Sequence, residues 1–166
     1  MTRKASFFWE KESAGYSLPQ LHRLSPTKVP EAMLIRIGRK SNQSKRLIKH
    51  LGTDDRVVYR CPSAGEVAYC YNAADMLCFP SFYEGIGLSL LEAMTPDLPV
   101  VAGNRSSTPE VVSDTTEIVL DPSDVGCFTH WMLEISTNRE FKSTVSGNEF
   151  KRSLNFGSSE CARETF

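Results

Sequence analysis

Residues 79–94, FPSFYEGIGLSLLEAM, decide the fold predicted for this chain. An apolar strand ends at their start, a turn containing Gly85 and Gly87 follows, and an apolar helix begins at about Leu88. The N–H groups at such a helix start have no partner within the helix, and together with the helix dipole they favour a phosphate. The stretch therefore predicts an anion site at the end of a strand.

Two carboxylates, Glu84 and Glu92, belong to the same stretch and are separated by seven residues. Glu92 lies one turn into the helix on the face of Leu88, where it could accept hydrogen bonds from the ribose hydroxyls of a nucleotide. The layout suggests a nucleoside diphosphate with a further group attached. Two plainer interpretations stay open, because acids are favoured at any helix start and glycines serve any tight turn.

Strands and helices alternate on both sides of this stretch. The strands are predicted at 33–37, 56–59, 76–79, 99–102 and 117–120. Gly52 ends one helix, Ser63 and Glu66 form a capping box for the next, and Thr108 caps a later helix that starts with Pro109. Such alternation is typical of an α/β fold, here a Rossmann-like doubly wound parallel sheet flanked by helices. Ligands of such folds bind at the carboxyl ends of the strands.

Composition limits the class of protein. The 166 residues suit one domain, predicted at 1–155 with a divergent or truncated first strand region at 1–28, followed by a polar tail at 156–166. A net charge of −1 gives no reason to expect nucleic acid or an anionic membrane as a partner. No apolar run reaches the roughly 20 residues of a membrane-spanning helix.

The five cysteines have no metal-ligand spacing, and most of them are expected to be small core residues. Free cysteines favour a reducing compartment, so a cytoplasmic location is predicted. The three histidines are isolated in the sequence, and no metal site is predicted.

The longer motifs YNAADMLCFPSFYEGIGLSLLEAM, PVVAGNRSSTPEVVSD and VLDPSD occur in this order. In this order and spacing the chain resembles, from about residue 29 to 155, the carboxyl-terminal nucleotide-sugar donor domain of GT-B-fold retaining glycosyltransferases, the glycosyl transferases group 1. The resemblance implies one half of a GT-B fold. The other half, an amino-terminal domain that supplies most of the acceptor site, is not represented in these motifs.

The resemblance also implies roles for residues. Glu84 would be the catalytic carboxylate near the reacting end of the donor sugar, and Glu92 would bind the ribose. The main-chain amides that would face the sugar and the diphosphate belong to Gly85, Ile86, Gly87 and Leu88. Members of this family often need no metal, and no cofactor beyond the donor substrate is implied. Their chemistry depends on positioning and on stabilising the departing diphosphate.

The first strand of the family is followed by cations that hold the diphosphate. Residues 5–9 would be this strand, and Lys11 would take the place of the phosphate-binding lysine. Ser6 stands where many members have arginine, so one cation of the pair is missing. Uncertain substitutes for it are Arg3, Lys4 and Arg39.

The leading hypothesis is a glycosyltransferase donor domain that transfers a sugar from a nucleoside-diphosphate sugar to a hydroxyl of a glycan or lipid acceptor, with retention. It would act in polysaccharide biosynthesis with an amino-terminal acceptor domain or a partner chain, which could also bring it to the membrane surface. The alternative is a non-catalytic nucleotide-sugar-binding half, or a remnant, that needs a separate partner. A sugar-nucleotide epimerase relative is a third, less fitting possibility.

Overall fold

The protein is described from a computed structural model, which covers residues 6–10, 17–24, 29, 31–85, 87–112 and 118–153. Within this part of the chain all strands join one parallel sheet in the order β3-β2-β1-β4-β5-β6. The strands are β1 Ser6–Glu10, β2 Met33–Ile37, β3 Val57–Arg60, β4 Met76–Phe79, β5 Val100–Gly103 and β6 Val119–Leu120.

Helices connect these strands. The α-helices are α1 Ser17–Leu24, α2 Asn42–Leu51, α3 Ala64–Ala73, α4 Leu88–Met94, α5 Thr108–Val112, α6 Val125–Thr137 and α7 Arg139–Ser153, and a 3-10 turn spans Asp54–Arg56. The chain first winds outward from β1 to β3, then crosses back to β4 beside β1 and winds the other way to β6. This doubly wound order confirms the predicted fold class, and it creates a switch point between β1 and β4 where ligands bind in such folds.

Buried side chains form a core on each face of the sheet. Successive residues of β4 point to opposite faces, so Cys78 packs with α6 while Leu77 packs with α4. Met76–Phe79 are all buried, as expected for a strand with neighbours on both sides and helices above and below. The fully buried strand β4 thus ends at the turn that contains Gly85 and Gly87.

Most predicted elements are present, with small shifts. The strands β2 and β4 and the helix α4 have the predicted bounds, while β3 and β5 begin and end one residue later than predicted. The strand expected at 5–9 forms as β1 and pairs with both β2 and β4. No helix was predicted at α1 or α7. α7 is polar, and its Phe141 stacks on Trp131 with ring centroids 5.5 Å apart.

Two smaller predictions are wrong. Thr108 lies inside α5, and its buried hydroxyl finds no hydrogen-bond partner in the described part of the chain, so it is not a side-chain cap. Of the cysteines that the structure describes, only Cys78 is fully buried. Cys70 is half-buried, and Cys61 and Cys127 are exposed, because they lie in a loop and on the outer side of a helix.

Candidate functional site

The turn after β4 is the place for which the sequence predicts an anion site. Pro80 and Ser81 are still buried, and the chain then emerges so that Tyr83 is 84% exposed. Gly87 is the N-cap residue of α4, with φ 69° and ψ 41° in the left-handed region that favours glycine. A Cβ added to Gly87 would lie 3.0 Å from Leu90 Cδ1. Glycine at this position therefore allows the tight turn from which α4 begins.

Glu84 is held through both its side chain and its main chain. Its carboxylate oxygen Oε1 accepts a hydrogen bond from Ser81 Oγ at 2.7 Å, and Ser81 is only 4% exposed. Its carbonyl oxygen accepts hydrogen bonds from Ser106 Oγ at 2.5 Å and Ser107 Oγ at 3.3 Å. These contacts were not predicted from the sequence. The half-buried carboxylate is therefore held by Ser81, while hydroxyls of the loop after β5 hold the main chain of the same residue.

Gly103 makes the approach of these two loops possible. It is the last residue of β5, and a Cβ there would lie 2.6 Å from Ser81 O and 2.8 Å from Pro122 Cγ. Such distances are shorter than van der Waals contact, so only glycine allows the end of β4 to pack so closely here. Ser106 then follows with φ 55°, a left-handed conformation that is uncommon for residues with a side chain. Its hydroxyl can reach Glu84 from this position.

Glu92 faces a cleft between α3 and α4. The side chain is exposed, and its Oε2 accepts a hydrogen bond from the hydroxyl of Tyr71 at 3.3 Å. Tyr71 is 2% exposed, so a buried ring directs its polar tip to this carboxylate. The cleft is a cavity of about 310 Å³ lined by Ala64, Val67, Ala68, Tyr71, Asn72, Glu92, Thr95 and Pro96. This contact was not predicted from the sequence.

The structure thus brings most of the predicted site residues to one turn and one helix. Glu84, Gly85 and Gly87 lie in the turn, and Leu88 begins α4 with its side chain 62% exposed. Glu92 lies on the same helix. The predicted ligands Ile86 and Lys11 lie outside the described residues. No group of three or more His, Cys, Asp and Glu side chains that could hold a metal ion occurs in the part of the chain that the structure describes.

A further cation, Arg36, lies near the carboxyl end of β2. It is 7% exposed and donates a hydrogen bond from its guanidinium NH1 to the hydroxyl of Tyr59 at 3.1 Å. Burial lowers the pKa of Arg36 below its usual value, and the contacts with Tyr59 partly oppose that shift. Lys40 Nζ lies 5.2 Å from the centre of the same ring, which is a cation–π contact. Positive charge therefore collects at the β2 and β3 side of the carboxyl edge.

The comparison with protein families decides the family. The sequence model of the family described as "Glycosyl transferases group 1" matches residues 15–152. The chain belongs to the glycosyl transferases group 1 family.

Curated members of this family are similar to parts of the chain. The O-antigen chain mannosyltransferase B of Escherichia coli is 35% identical over 100 residues, which are 60% of this chain and 26% of the relative. The MMP alpha-(1->4)-mannosyltransferase of Mycolicibacterium hassiacum is 30% identical over 118 residues, or 69% of this chain and 28% of the relative. The chain therefore matches only about a quarter of the length of these relatives.

Solved structures of glycosyltransferases have the same fold. The C-terminal domain of the group 1 family protein LpcC from Francisella tularensis has a TM-score of 0.73 and 17% identity, and the match covers 92% of this chain and 86% of that domain. A TarM variant from S. aureus, in complex with fondaparinux, alpha-GlcNAc-glycerol and UDP, has a TM-score of 0.83 and 17% identity, with 98% of this chain and 34% of that chain covered. Together they confirm that this fold is one half of a GT-B glycosyltransferase.

Among the helices that the structure describes in this chain, none has both the length and the apolar character of a membrane-spanning segment.

Proposed function

We propose that this chain binds a nucleoside-diphosphate sugar at the turn between β4 and α4 and donates the sugar to a hydroxyl of a glycan or lipid acceptor, with retention of configuration. The observation that carries the proposal is the fixed position of Glu84 at the switch point of the sheet, in the turn that leads into α4, the helix whose Glu92 lines a cleft. A nucleotide sugar bound across this turn and helix would contact both carboxylates.

Glu92 would bind the ribose hydroxyls, because it is exposed at the cleft and still has a free carboxylate oxygen beside the one that accepts from Tyr71. The buried Tyr71 hydroxyl would then serve to orient the carboxylate. Names of structural neighbours support a nucleoside-diphosphate ligand, since the TarM complex and the Anabaena Alr3699/HepE complex both contain UDP. The base and the sugar bound by this chain stay open.

Glu84 would face the reacting end of the donor sugar. When the bond from the sugar to the diphosphate breaks, positive charge develops on the sugar and negative charge on the departing diphosphate. A carboxylate already held by Ser81, on a main chain held by Ser106, can stabilise the positive charge without first reorganising. The main-chain amides of the turn would stabilise the negative charge. They belong to Gly85, Ile86, Gly87 and Leu88, and Lys11 would supply a cation.

A second candidate function is nucleotide-sugar binding without transfer by this chain alone. It rests on the site itself, because the contacts described above concern the donor side alone. In that case an acceptor domain or partner chain would complete the enzyme. The two candidates share the donor site and differ only in whether this chain forms product.

Calorimetry with a panel of uridine, guanosine and adenosine diphosphate sugars tests the donor site. Glu92→Ala should weaken binding by about 10- to 140-fold, which corresponds to the 1.5–3 kcal/mol of hydrogen bonds to a charged group. Glu140→Ala is the matched control, because Glu140 is an exposed glutamate on α7, and it should change affinity less than about twofold. A folded protein that binds none of the donors would contradict the proposal.

Product analysis separates the two candidates. The chain alone is incubated with the donor that binds best and with lipid and glycan acceptors. A transferred sugar supports the transferase, whereas donor binding without product supports the binding half.

A further inference from the structure

Charge is distributed very unevenly along the chain. Residues 36–60, which span the end of β2, α2 and β3, contain eight Lys and Arg and two Asp, a net charge of +6. Because the whole chain has a net charge of −1, the remaining residues carry −7. β3 is the edge strand of the sheet, so this basic unit lies at one end of the molecule. The overall charge, which gave no reason to expect an anionic partner, hides this asymmetry.

The outer side of α2 concentrates this charge. Ser44 and Ile48 are each 1% exposed and point to the core, so the opposite side of the helix faces solvent. That side and the loop before it carry six exposed basic residues, five of them Lys or Arg, which we call the α2 basic face: Arg39, Lys40, Lys45, Arg46, Lys49 and His50. The sequence has no acidic residue from 32 to 53.

None of these six side chains is neutralised by an ion pair within the described ranges. The ion pairs present there join Arg105 to Asp121 and Lys142 to Asp75, on other elements. A concentration of unpaired cations on one face is costly unless solvent or an anionic partner surrounds it. The face therefore has the charge of a docking surface for an anion-rich partner.

We propose that the α2 basic face docks this protein on an anionic lipid bilayer. Clusters of four to eight Lys and Arg on an amphipathic helix are typical of surfaces that bind anionic lipids, and each such residue strengthens binding roughly fivefold. The apolar side of α2 is already packed against the sheet, with Ile48 in the core. Docking is therefore electrostatic and does not require insertion of the helix.

A bilayer fits the α2 basic face better than nucleic acid does. Proteins that bind single-stranded nucleic acid present exposed aromatic rings on which bases stack. Tyr59, an aromatic residue beside this face, is half-buried and is covered by Arg36 and Lys40, whose charged groups lie 5.4 and 5.2 Å from its ring centre.

A bilayer also fits this face better than a protein partner does. Protein interfaces are usually anchored by large apolar or aromatic residues. The exposed large apolar side chains of the described residues lie on other elements: Tyr69, Phe82, Tyr83 and Leu88. The α2 basic face offers charge alone, which is what a lipid headgroup layer requires.

The face also adjoins the carboxyl edge of the sheet. α2 begins after Ser41, directly behind β2, so Arg39 and Lys40 lie at the edge where the turn after β4 also lies. A bilayer on this face would therefore lie beside that edge. This inference goes beyond the proposed function and does not depend on sugar binding.

Vesicle sedimentation tests the docking. The full chain is mixed with vesicles of phosphatidylcholine containing one third phosphatidylglycerol, and with vesicles of phosphatidylcholine alone. We expect binding only to the anionic vesicles and its loss at high salt, because screening shortens the range of charge interactions to a few ångströms. Equal binding to both vesicles, or to neither, would overturn the proposal.

A pair of variants tests the face itself. Arg46→Gln/Lys49→Gln removes two charges from it with little change in helix propensity, and should weaken binding about 25-fold. Arg105→Gln/Arg139→Gln removes two exposed cations elsewhere and should weaken it less than about twofold. Circular dichroism checks that both variants fold, and Lys45→Gln/Lys49→Gln replaces the first variant if it does not. Equal losses in both variants, or tighter binding to RNA or duplex DNA than to vesicles, would refute bilayer docking.

Discussion

Two neighbouring glycines should respond to substitution in opposite ways. A Cβ added to Gly85 would have no atom within 4 Å, and Gly85 is not among the residues with positive φ. Gly85→Ala should therefore leave the fold intact, and it can raise stability by about 0.4–1 kcal/mol because alanine restricts the unfolded chain. In the folded protein without a bound donor, the added methyl group has no neighbouring atom to displace.

Gly87 differs because the backbone itself requires glycine. At φ 69° a residue with a side chain costs about 1–2 kcal/mol, and the Cβ would also lie 3.0 Å from Cδ1 of Leu90. Leu90 is fully buried and cannot move away freely. A loss of 1–2 kcal/mol lowers the Tm of a domain of this size by about 2–8 °C. Gly87→Ala should show this loss, and Gly87→Val a larger one with the sheet still folded.

Nucleotide-sugar affinity is the decisive measurement. If the donor approaches the turn as proposed, the methyl group of Gly85→Ala displaces a phosphate or sugar oxygen from a main-chain amide. Loss of one such hydrogen bond weakens binding by about 10- to 140-fold. Calorimetry for affinity and thermal unfolding for stability are measured on the same samples. Unchanged donor affinity in a stable Gly85→Ala protein would refute the donor position at this turn.

Three further variants test how the site is held. Gly103→Ala should destabilise the protein by about 1–3 kcal/mol in urea unfolding, because a Cβ would lie 2.6 Å from Ser81 O, and a change below about 0.5 kcal/mol would contradict the close approach. Ser106→Gly should leave the free energy of unfolding nearly unchanged, because relief of the left-handed serine backbone offsets the loss of one hydrogen bond of about 1 kcal/mol. The same variant should lower sugar transfer or donor affinity, because Glu84 loses a hydrogen bond that holds it. Unchanged activity would argue that Ser106 does not position Glu84. Hydrogen bonds from Ser63 hold the pKa of Glu66 below its usual value. The stability that these bonds contribute is present above the ordinary carboxyl pKa and should be lost as the pH falls through the lowered pKa. Urea unfolding midpoints measured down to acid pH should show this loss, and Glu66→Gln should make it smaller.

The sequence predicted correctly the bounds of those strands and helices whose ends are marked by characteristic residues. β4 is a fully apolar run and α4 begins at a glycine, and both have the predicted bounds. β3 and β5 shift by one residue, because the neighbouring residues fit a strand start as well as a loop. α7 was missed because its helix is held by tertiary packing of residues such as Phe141 rather than by an apolar stripe.

The contacts around the two carboxylates could not have been predicted from local pattern. Tyr71 and Glu92 are 21 residues apart, and Ser106 and Glu84 are 22 residues apart, so each contact depends on how the strands are ordered. The positions of Glu84 and Glu92 on their turn and helix followed from the motif. Their hydrogen-bond partners followed only from the packing of the sheet.

Glu84 is therefore positioned by the edge of the sheet as much as by its own turn. Its carbonyl is bonded to the loop after β5, and Arg105 in that loop is paired with Asp121 after β6 at 3.0 Å. An exposed ion pair of this kind contributes little stability, but Gly103 holds the same loop close to Ser81 through direct packing. Because of these links, a displacement of Glu84 must also move the ends of β4 and β5. The main chain of Glu84 is thus held on two sides, whereas the neighbouring Tyr83 is 84% exposed.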